Sequence, residues 1–272
     1  MNYRSFADMN TDIVRNLHKF PHDVDLVVGI PRSGMLPANI LALYLNKPFT
    51  SVEQFCNGVI YANGSRLIDR EDVKKIPVVD DSVSSGAAMS QAKELLKHAP
   101  AEKVYAAVYV TPKGSKFVDV YCDVVKQPRL FQWNVFNTQR VENAMFDIDG
   151  VLCTDPAIDD DGERYISEIT NAKPLYIPKY TIDTIVTCRL EKYRTITENW
   201  LQNNNVHYNT LTMLNLPTRA ERLKWGRHGI WKGELYANSS DTLFYESSLH
   251  QAQQIKTITD KPVFCTETMT FL

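Results

Sequence analysis

Two adjacent carboxylates, Asp80 and Asp81, stand before a run of small hydroxyl residues that ends at Gly86. The apolar residues 75–79 predict a buried strand, and residues 85–98 predict a helix. A helix N-terminus offers backbone N–H groups and a positive dipole end to a phosphate. Paired carboxylates can accept hydrogen bonds from sugar hydroxyls and stabilise positive charge on a ribose ring. The segment predicts a ribose phosphate site; a capped helix after an acidic turn is the alternative.

A second turn carries Arg32, Ser33 and Gly34 between a predicted strand at residues 25–30 and a predicted helix at residues 37–46. Its backbone N–H groups and its guanidinium could bind a diphosphate. A plain connection between a strand and a helix is the alternative. The two segments together favour a sugar that carries both a phosphate and a diphosphate.

In their types and order, these segments resemble the type I phosphoribosyltransferase family over roughly residues 1–130. The resemblance implies a site for 5-phosphoribosyl diphosphate (PRPP) in which Asp80 and Asp81 hold the ribose hydroxyls and serve catalysis. It also implies that residues 84–86 hold the 5-phosphate and that Mg²⁺ binds with the pyrophosphate. Lys113, after the third predicted strand, is a further candidate for the diphosphate. The implied PRPP-binding residues are Arg32, Ser33, Gly34, Asp80, Asp81, Ser82, Ser84, Ser85, Gly86 and Lys113.

The match to this family includes one departure and one variable segment. Ala88 stands where the family often carries a hydroxyl residue, so either one phosphate hydrogen bond is missing or Ser82 supplies it. Residues 48–67 occupy the position of the family's flexible hood, which contacts the acceptor. The candidate acceptor contacts in this segment are Tyr61, Ser65 and Arg66.

A second pair of carboxylates, Asp147 and Asp149, ends a predicted strand at residues 144–147. Residues two apart in a strand point to the same side. One carboxylate could attack phosphorus, and the other could protonate the leaving oxygen and later activate water. Two crowded carboxylates favour a hard cation such as Mg²⁺. A calcium loop is excluded because the acidic residues do not continue at alternate positions, which leaves a plain acidic turn as the alternative.

Three further residues follow in an order that suits a phosphoryl site. Thr187 ends a predicted strand and could hold a phosphoryl oxygen, Lys232 could neutralise the phosphoryl group, and Glu246 ends another strand and could complete a metal site. This set resembles the haloacid-dehalogenase-like (HAD) phosphatase superfamily over residues 143–272. The resemblance implies that Asp147 is the nucleophile and Asp149 the acid and base. Thr187 and Lys232 would bind the phosphoryl group, and Asp147, Asp149 and Glu246 would hold Mg²⁺.

Some assignments in the second half have alternatives. Lys224 is the alternative to Lys232, and Asp241 could compensate for the serine that follows Glu246, where the superfamily usually has a second acid. Residues 159–163 are interpreted as a solvated acidic turn rather than a metal site. The four tryptophans are assigned to packing; they are Trp133, Trp200, Trp225 and Trp231.

Strands that alternate with helices predict parallel α/β sheets. The pattern restarts after residues 126–141, so the predicted fold class is two open, mainly parallel α/β domains. Residues 1–135 form the phosphoribosyltransferase-like domain and residues 140–272 the HAD Rossmann-like phosphatase domain. The 272 residues are 44% hydrophobic, which suffices for two cores.

Charge and cysteine content limit the partners and the compartment. The formal net charge is -2, which gives no overall attraction to nucleic acid or to anionic lipid. The five cysteines are scattered without paired spacing, which favours a reducing cytoplasm over a disulfide framework. We expect no membrane segment, no signal peptide and no nucleic-acid partner. Nothing in the sequence indicates an oligomeric state.

The two sites suggest sequential reactions. A transferase that moves ribosyl 5-phosphate leaves the phosphate on its product, and a phosphatase in the same chain could remove it. Such paired domains resemble bacterial enzymes that install ribofuranose in surface polysaccharides. The leading hypothesis is transfer from PRPP to an acceptor hydroxyl on a glycan, followed by hydrolysis of the 5-phosphate. The alternatives are a nucleobase phosphoribosyltransferase with a nucleotidase domain and a PRPP-binding regulator.

Overall fold

The computed structural model describes residues 1–272 and divides into two compact units, Met1–Trp133 and Asn134–Leu272. Both units are mixed α/β structures with mainly parallel sheets, which confirms the predicted fold class. None of the helices combines the length and the apolar character needed to cross a bilayer.

The first unit is built on a five-stranded parallel sheet. The unit has seven strands in all: β1 (Asn2–Arg4), β2 (Val27–Gly29), β3 (Phe49–Ser51), β4 (Lys75–Val83), β5 (Glu102–Val110), β6 (Val120–Val124) and β7 (Arg129–Phe131). Its helices are α1 (Phe6–Arg15), α2 (Met35–Leu45), α3 (Val52–Cys56) and α4 (Ala87–Leu95). The sheet order is β3-β2-β4-β5-β6, while β1 and β7 form a separate parallel pair. The order reverses between β2 and β4, and ligands bind at such switch points of α/β sheets.

Helices cover both faces of this sheet, as a parallel sheet requires. One core cluster contains Met9 of α1 and Leu41 of α2, and the other contains Phe55 of α3 and Met89 of α4. Each of these side chains is at most 2% exposed. The central strand β4 is longer than the sequence predicts and continues to Val83. Asp80 and Asp81 therefore lie within the last four residues of the strand. Burial on both faces therefore fixes the carboxyl end of β4 firmly.

The second unit is a doubly wound sheet with one antiparallel edge strand. Its strands are β8 (Ala144–Phe146), β9 (Ile182–Leu190), β10 (Tyr208–Leu214), β11 (Leu243–Glu246), β12 (Val263–Cys265) and β13 (Thr270–Phe271). Its helices are α5 (Glu163–Thr170), α6 (Arg194–Asn203), α7 (Arg219–Trp225), α8 (His228–Ala237) and α9 (Leu249–Ile258). The order is β10-β9-β8-β11-β12-β13. The strand order reverses between β8 and β11, which is the switch point. Ligands are expected at the carboxyl ends of these two strands.

Helix α8 was not predicted because it contains Gly229 and Gly233, and glycine is a poor helix former. Packing explains the second glycine. A Cβ atom at Gly233 would lie 3.0 Å from the Cβ of Ile258 in α9. The glycine therefore lets α8 and α9 approach closely, and this tertiary contact outweighs the low helix propensity.

Candidate active sites in the two units

The turn after β2 is pressed against β4 at Gly34. A Cβ atom at Gly34 would lie 2.5 Å from the carbonyl oxygen of Ile30 and 2.8 Å from that of Val79. Only a residue without a side chain allows this approach. Arg32 is exposed in the same turn, and the peptide bond from Pro31 to Arg32 is cis. The turn therefore stands beside the carboxyl end of β4.

We expect Gly34→Ala to displace this turn from β4. A displacement of about 1 Å at a binding group can cost on the order of 100-fold, expected here as weaker PRPP binding, and overpacking costs about 1–3 kcal/mol of stability. Calorimetric titration with PRPP and urea unfolding measure the two effects. Gly162→Ala is the control, because its nearest heavy atom would lie 3.4 Å away. PRPP affinity unchanged in Gly34→Ala would contradict the placement of the turn in the site.

Asp80 and Asp81 form a buried diacid at the end of β4. The backbone N–H of Asp81 donates to Asp80 Oδ1 at 2.9 Å, and Trp133 Nε1–H donates to Asp81 Oδ2 at 2.6 Å. Burial, and next the negative charge of Asp81, raise the pKa of Asp80 to about 8. Arg129 lies close enough to attract both carboxylates, and its buried Nη1 has no protein acceptor. The diacid is thus held in place and lacks partners for its full charge.

We expect Asp80→Asn to stabilise the protein more at pH 8 than at pH 5. The pKa of Asp80 in the folded protein is above the value of about 4 expected for the unfolded chain, so the folded state holds the extra proton between these pH values. Stability falls as pH rises through this window, by up to a few kcal/mol at about 1.4 kcal/mol per pKa unit. Asparagine removes this loss. Thermal unfolding at both pH values measures the difference, and an equal effect at both would contradict it.

Beyond the diacid, residues 84–86 form a serine loop that leads into α4. Ser84 and Ser85 are exposed, and α4 begins after Gly86, whose φ of 80° is in the left-handed region. A cavity of about 530 Å³ is lined by these two serines together with Lys113 and Lys126. Two ammonium groups beside a helix N-terminus suit a phosphate. Lys126 was not singled out in the sequence because nothing there marks the end of β6.

The predicted hood contacts are wrong for two residues. Ser65 and Arg66 line a cavity together with Asp25 and Pro48, and Arg66 Nε donates to Asn46. Asp25 precedes β2 and Pro48 precedes β3, so this cavity lies at the amino ends of the strands. The diacid lies at the carboxyl ends, on the opposite edge of the sheet.

Tyr61, the third predicted hood contact, also lies away from the diacid. Its backbone pairs with that of Phe49, the first residue of β3, and the two rings are 5.5 Å apart. The segment returns to the amino end of β3 because this antiparallel pairing holds it there. The structure therefore places none of the three predicted acceptor contacts beside the diacid.

In the second unit, Lys232 bridges two buried carboxylates. Its Nζ donates to Asp147 Oδ2 at 2.6 Å and to Glu246 Oε2 at 2.7 Å. Lys232 is 1% exposed and Glu246 is 0% exposed. Burial alone would lower the pKa of Lys232, but the two carboxylates outweigh it and the net direction is upward. Lys232 is therefore charged, and it stands at the switch point between β8 and β11.

Asp149 is turned toward a second buried cation. Arg189 Nε donates to Asp149 Oδ2 at 3.0 Å, and the Arg189 side chain is fully buried. Thr187 is also fully buried, and its Oγ1 accepts from the Arg189 backbone N–H at 3.2 Å. Asp147, Asp149, Thr187 and Lys232 thus stand on one edge of the sheet, as their order in the sequence predicts.

The carboxylates do not converge as one metal-ligand set. No group of three or more histidine, cysteine, aspartate or glutamate side chains is placed to hold a metal ion. The physical reason is that Lys232 neutralises Asp147 and Glu246 while Arg189 neutralises Asp149. Glu246 Oε1 also accepts from the Ser248 backbone N–H at 3.0 Å. The donor oxygens are of the kind that Mg²⁺ prefers, but Asp149 would have to leave Arg189 to become a ligand.

Two alternatives from the sequence are wrong. Lys224 is exposed on α7, so Lys232 is the lysine beside Asp147. Asp241 precedes β11, at the amino edge, where Asp183 is its acidic neighbour. Asp241 cannot compensate for Ser247 from there. Asp155 is the acid next to this centre: partial desolvation, and next the negative charges of Asp149 and Glu246, raise its pKa.

The acidic segment at residues 159–163 is not a solvated turn. Asp159 pairs with Arg222 and with Arg219 in α7. Asp161 pairs with Lys192 at 2.6 Å, and its pKa falls to about 2 because hydrogen bonds to it outweigh burial. The segment therefore fastens the connection between β8 and α5 to the rest of the unit.

The sequence profile of the phosphoribosyl transferase domain matches residues 4–141, which is half of this chain. The chain belongs to the phosphoribosyltransferase domain family. The match covers the turn at Arg32, the diacid and the serine loop at residues 84–86.

Curated relatives match about two fifths of the chain. The chain is 32% identical over 110 residues to the transcriptional regulator GfcR of Methanococcoides burtonii, which covers 39% of this chain and 54% of the relative. It is 27% identical over 106 residues to the transcriptional regulator GfcR 2 of Methanosarcina acetivorans, covering 38% and 52%. The chain spans about half the length of these relatives.

Solved phosphoribosyltransferase structures are similar at low identity. The Helicobacter pylori xanthine-guanine-hypoxanthine phosphoribosyltransferase gives a TM-score of 0.37 at 17% identity, over 49% of this chain and 92% of that chain. A purine phosphoribosyltransferase from Pyrococcus horikoshii gives a TM-score of 0.37 at 21% identity, over 48% and 92%. Neither similarity bears on the substrate.

Besides Lys126, four residues near the two sites were missed or assigned another role. In the phosphoribosyltransferase unit, Trp133 was assigned to packing; its ring does stack on Phe131 at 4.9 Å, but it also donates to Asp81. Arg129 and Asp155 carry no local signal. Arg189 does, since it follows Thr187 by two positions and so stands at the same strand end.

Proposed function

We propose that this chain transfers a 5-phosphoribosyl group from PRPP to a hydroxyl of a glycan in its first unit and hydrolyses the 5-phosphate in its second. The product is a ribofuranosyl glycan. The observation that carries the second step is the buried lysine, Lys232, held between Asp147 and Glu246 at the switch point of the second sheet. The family match supports the first step.

In the transfer step, the C1–oxygen bond to pyrophosphate breaks and the acceptor oxygen bonds to C1. Asp80 and Asp81 would hold the ribose hydroxyls and stabilise the positive charge that develops on the ring. Residues 84–86 and Lys113 would hold the 5-phosphate, and Arg32 would hold the diphosphate. Trp133 donates to Asp81 and would fix the orientation of that carboxylate.

In the hydrolysis step, Asp147 would attack phosphorus while Asp149 protonates the leaving 5-oxygen of the ribose. Water would then attack the aspartyl-phosphate after giving its proton to Asp149, which releases inorganic phosphate. Lys232 would neutralise the phosphoryl charge, and Thr187 would hold a phosphoryl oxygen. Mg²⁺ belongs to this proposal because carboxylate oxygens suit it; Asp147, Asp149 and Glu246 would hold it once Asp149 has left Arg189, and it would offset negative charge at phosphorus.

Placing the transfer step and the hydrolysis step on one chain would speed the second step. Tethering raises the effective concentration of the phosphorylated product at the second site. Hydrolysis of the 5-phosphate also makes the two consecutive reactions irreversible as a whole. The substrates of the proposal are therefore PRPP and a glycan, and the phosphorylated glycan is the intermediate. The reducing cytoplasm stays the predicted compartment.

A PRPP-binding regulator is the second candidate, because both curated relatives are named transcriptional regulators. A nucleobase phosphoribosyltransferase with a nucleotidase unit is the third. Incubation with PRPP, Mg²⁺ and either nucleobases or neutral oligosaccharides separates the three. We expect pyrophosphate release with an oligosaccharide. Release only with a nucleobase would favour the third candidate, and PRPP binding without any release would favour the second.

A further inference from the structure

A cavity of about 590 Å³ opens beside the proposed phosphatase centre. Three of its lining residues follow the carboxyl ends of central strands: Gly150 comes after β8, Ser247 after β11 and Thr266 after β12. Asp147 and Glu246 stand at the same ends of β8 and β11. The cavity therefore adjoins the place where a phosphate ester would react, and none of the proposed catalytic residues uses it.

The lining of this cavity contains no lysine, arginine or histidine. It has two carboxylates, Asp155 and Glu267, four hydroxyl residues and the amide of Gln251. Gln251 Oε1 is buried and has no donor in the protein. Such a surface accepts hydrogen bonds from hydroxyls and repels anions. A second phosphate or a diphosphate on the ligand would meet two carboxylates and no cationic side chain.

An aromatic ring completes the lining. Tyr176 is half-buried, and one face of its ring stacks on Phe136 with centroids 4.0 Å apart and planes 7° apart. The adjacent Leu175 is 44% exposed at the cavity. Apolar surface beside carboxylate and amide acceptors matches a sugar, which has C–H faces and hydroxyl edges.

We infer that this cavity is a subsite for the neutral, hydroxyl-rich group attached to the phosphorylated ribose. The inference rests on the proposed function and names the substrate class of the hydrolysis step. It assigns recognition to the sugar next to the ribose rather than to a nucleobase or a charged leaving group. The 5-phosphate would lie toward Asp147 while the neighbouring sugar lies against Tyr176 and Glu267.

Phosphate release from three probes tests this subsite. The probes are ribose 5-phosphate, a neutral ribofuranosyl-hexose carrying the 5-phosphate, and adenosine 5′-monophosphate. We expect kcat/KM for the disaccharide phosphate to exceed that for ribose 5-phosphate about tenfold, mainly through KM, as one or two added hydrogen bonds predict. Leu175→Arg and Glu267→Gln should each reduce this advantage to about twofold or less, with ribose 5-phosphate unaffected.

Leu223→Arg is the matched control, because Leu223 is 50% exposed on α7 and does not line the cavity. It should keep the disaccharide advantage. The inference is overturned if ribose 5-phosphate or adenosine 5′-monophosphate is hydrolysed as well as the disaccharide phosphate, or if both cavity variants keep the advantage. In those cases hydrolysis itself still stands. No phosphate release from any probe would instead refute the proposed hydrolysis, and the subsite with it.

Discussion

Lys232→Met should abolish phosphate release and destabilise the protein by about 3–5 kcal/mol, the usual cost when one partner of a buried ion pair is removed. The reason is that Asp147 and Glu246 would both remain buried without the cation that they share. Methionine keeps most of the volume, so a cavity contributes little. Urea unfolding measures the loss of stability, and release of inorganic phosphate measures the loss of activity.

Two further variants separate charge from other causes. Lys224→Met removes an exposed lysine from the same region of sequence and should change neither quantity. Adding Glu246→Gln to Lys232→Met should recover part of the stability, because one uncompensated charge is removed. A single variant Lys232→Met as stable as the natural protein would mean that the lysine does not neutralise the pair.

Asp147→Asn should reduce hydrolysis on the order of 1000-fold or more while leaving the fold intact, since it removes the proposed nucleophile. Lys232 would keep Glu246 as its carboxylate partner, so no buried cation is left unpaired. With PRPP and an acceptor, the variant should accumulate the phosphorylated product. Phosphorus NMR of the reaction mixture distinguishes this ester from inorganic phosphate.

Asp241→Asn is the control for this variant, because Asp241 is a buried aspartate at the opposite edge of the same sheet. It should hydrolyse the product at the normal rate. If Asp147→Asn gives the dephosphorylated product as fast as the natural protein, Asp147 is not the nucleophile. Loss of hydrolysis in both variants would indicate a general effect on the unit.

Residues at the carboxyl ends of strands could be placed from sequence. Asp80, Asp147 and Thr187 each end an apolar run, and parallel strands bring their carboxyl ends to one edge. Local sequence predicts the position of these residues because each lies on, or directly after, the strand that the apolar run identifies. The same logic would have found Arg189, which stands two positions after Thr187.

Residues that depend on tertiary packing were left with an alternative, placed at the wrong edge of the sheet or given no role in a site. Lys232 stands on a helix with two glycines that only contact with α9 explains, and Lys224 offered an equal charge on a stronger helix pattern. Arg66 and Tyr61 fell on the wrong edge because backbone pairing returns their segment to β3. Trp133 stands more than 50 positions from Asp81, and no local pattern predicts a hydrogen bond across that separation.

Mixing two single-site variants tests the central claim, that two independent sites act in sequence on one product. Asp81→Asn should fail to release pyrophosphate but hydrolyse a supplied phosphoribosyl glycan, and Asp147→Asn should do the reverse. With PRPP, Mg²⁺ and a glycan acceptor, phosphorus NMR of the mixture should show pyrophosphate and inorganic phosphate in equal amounts. Pyrophosphate without inorganic phosphate in the mixture, or a folded Asp81→Asn variant that also fails to hydrolyse the supplied product, would contradict the account.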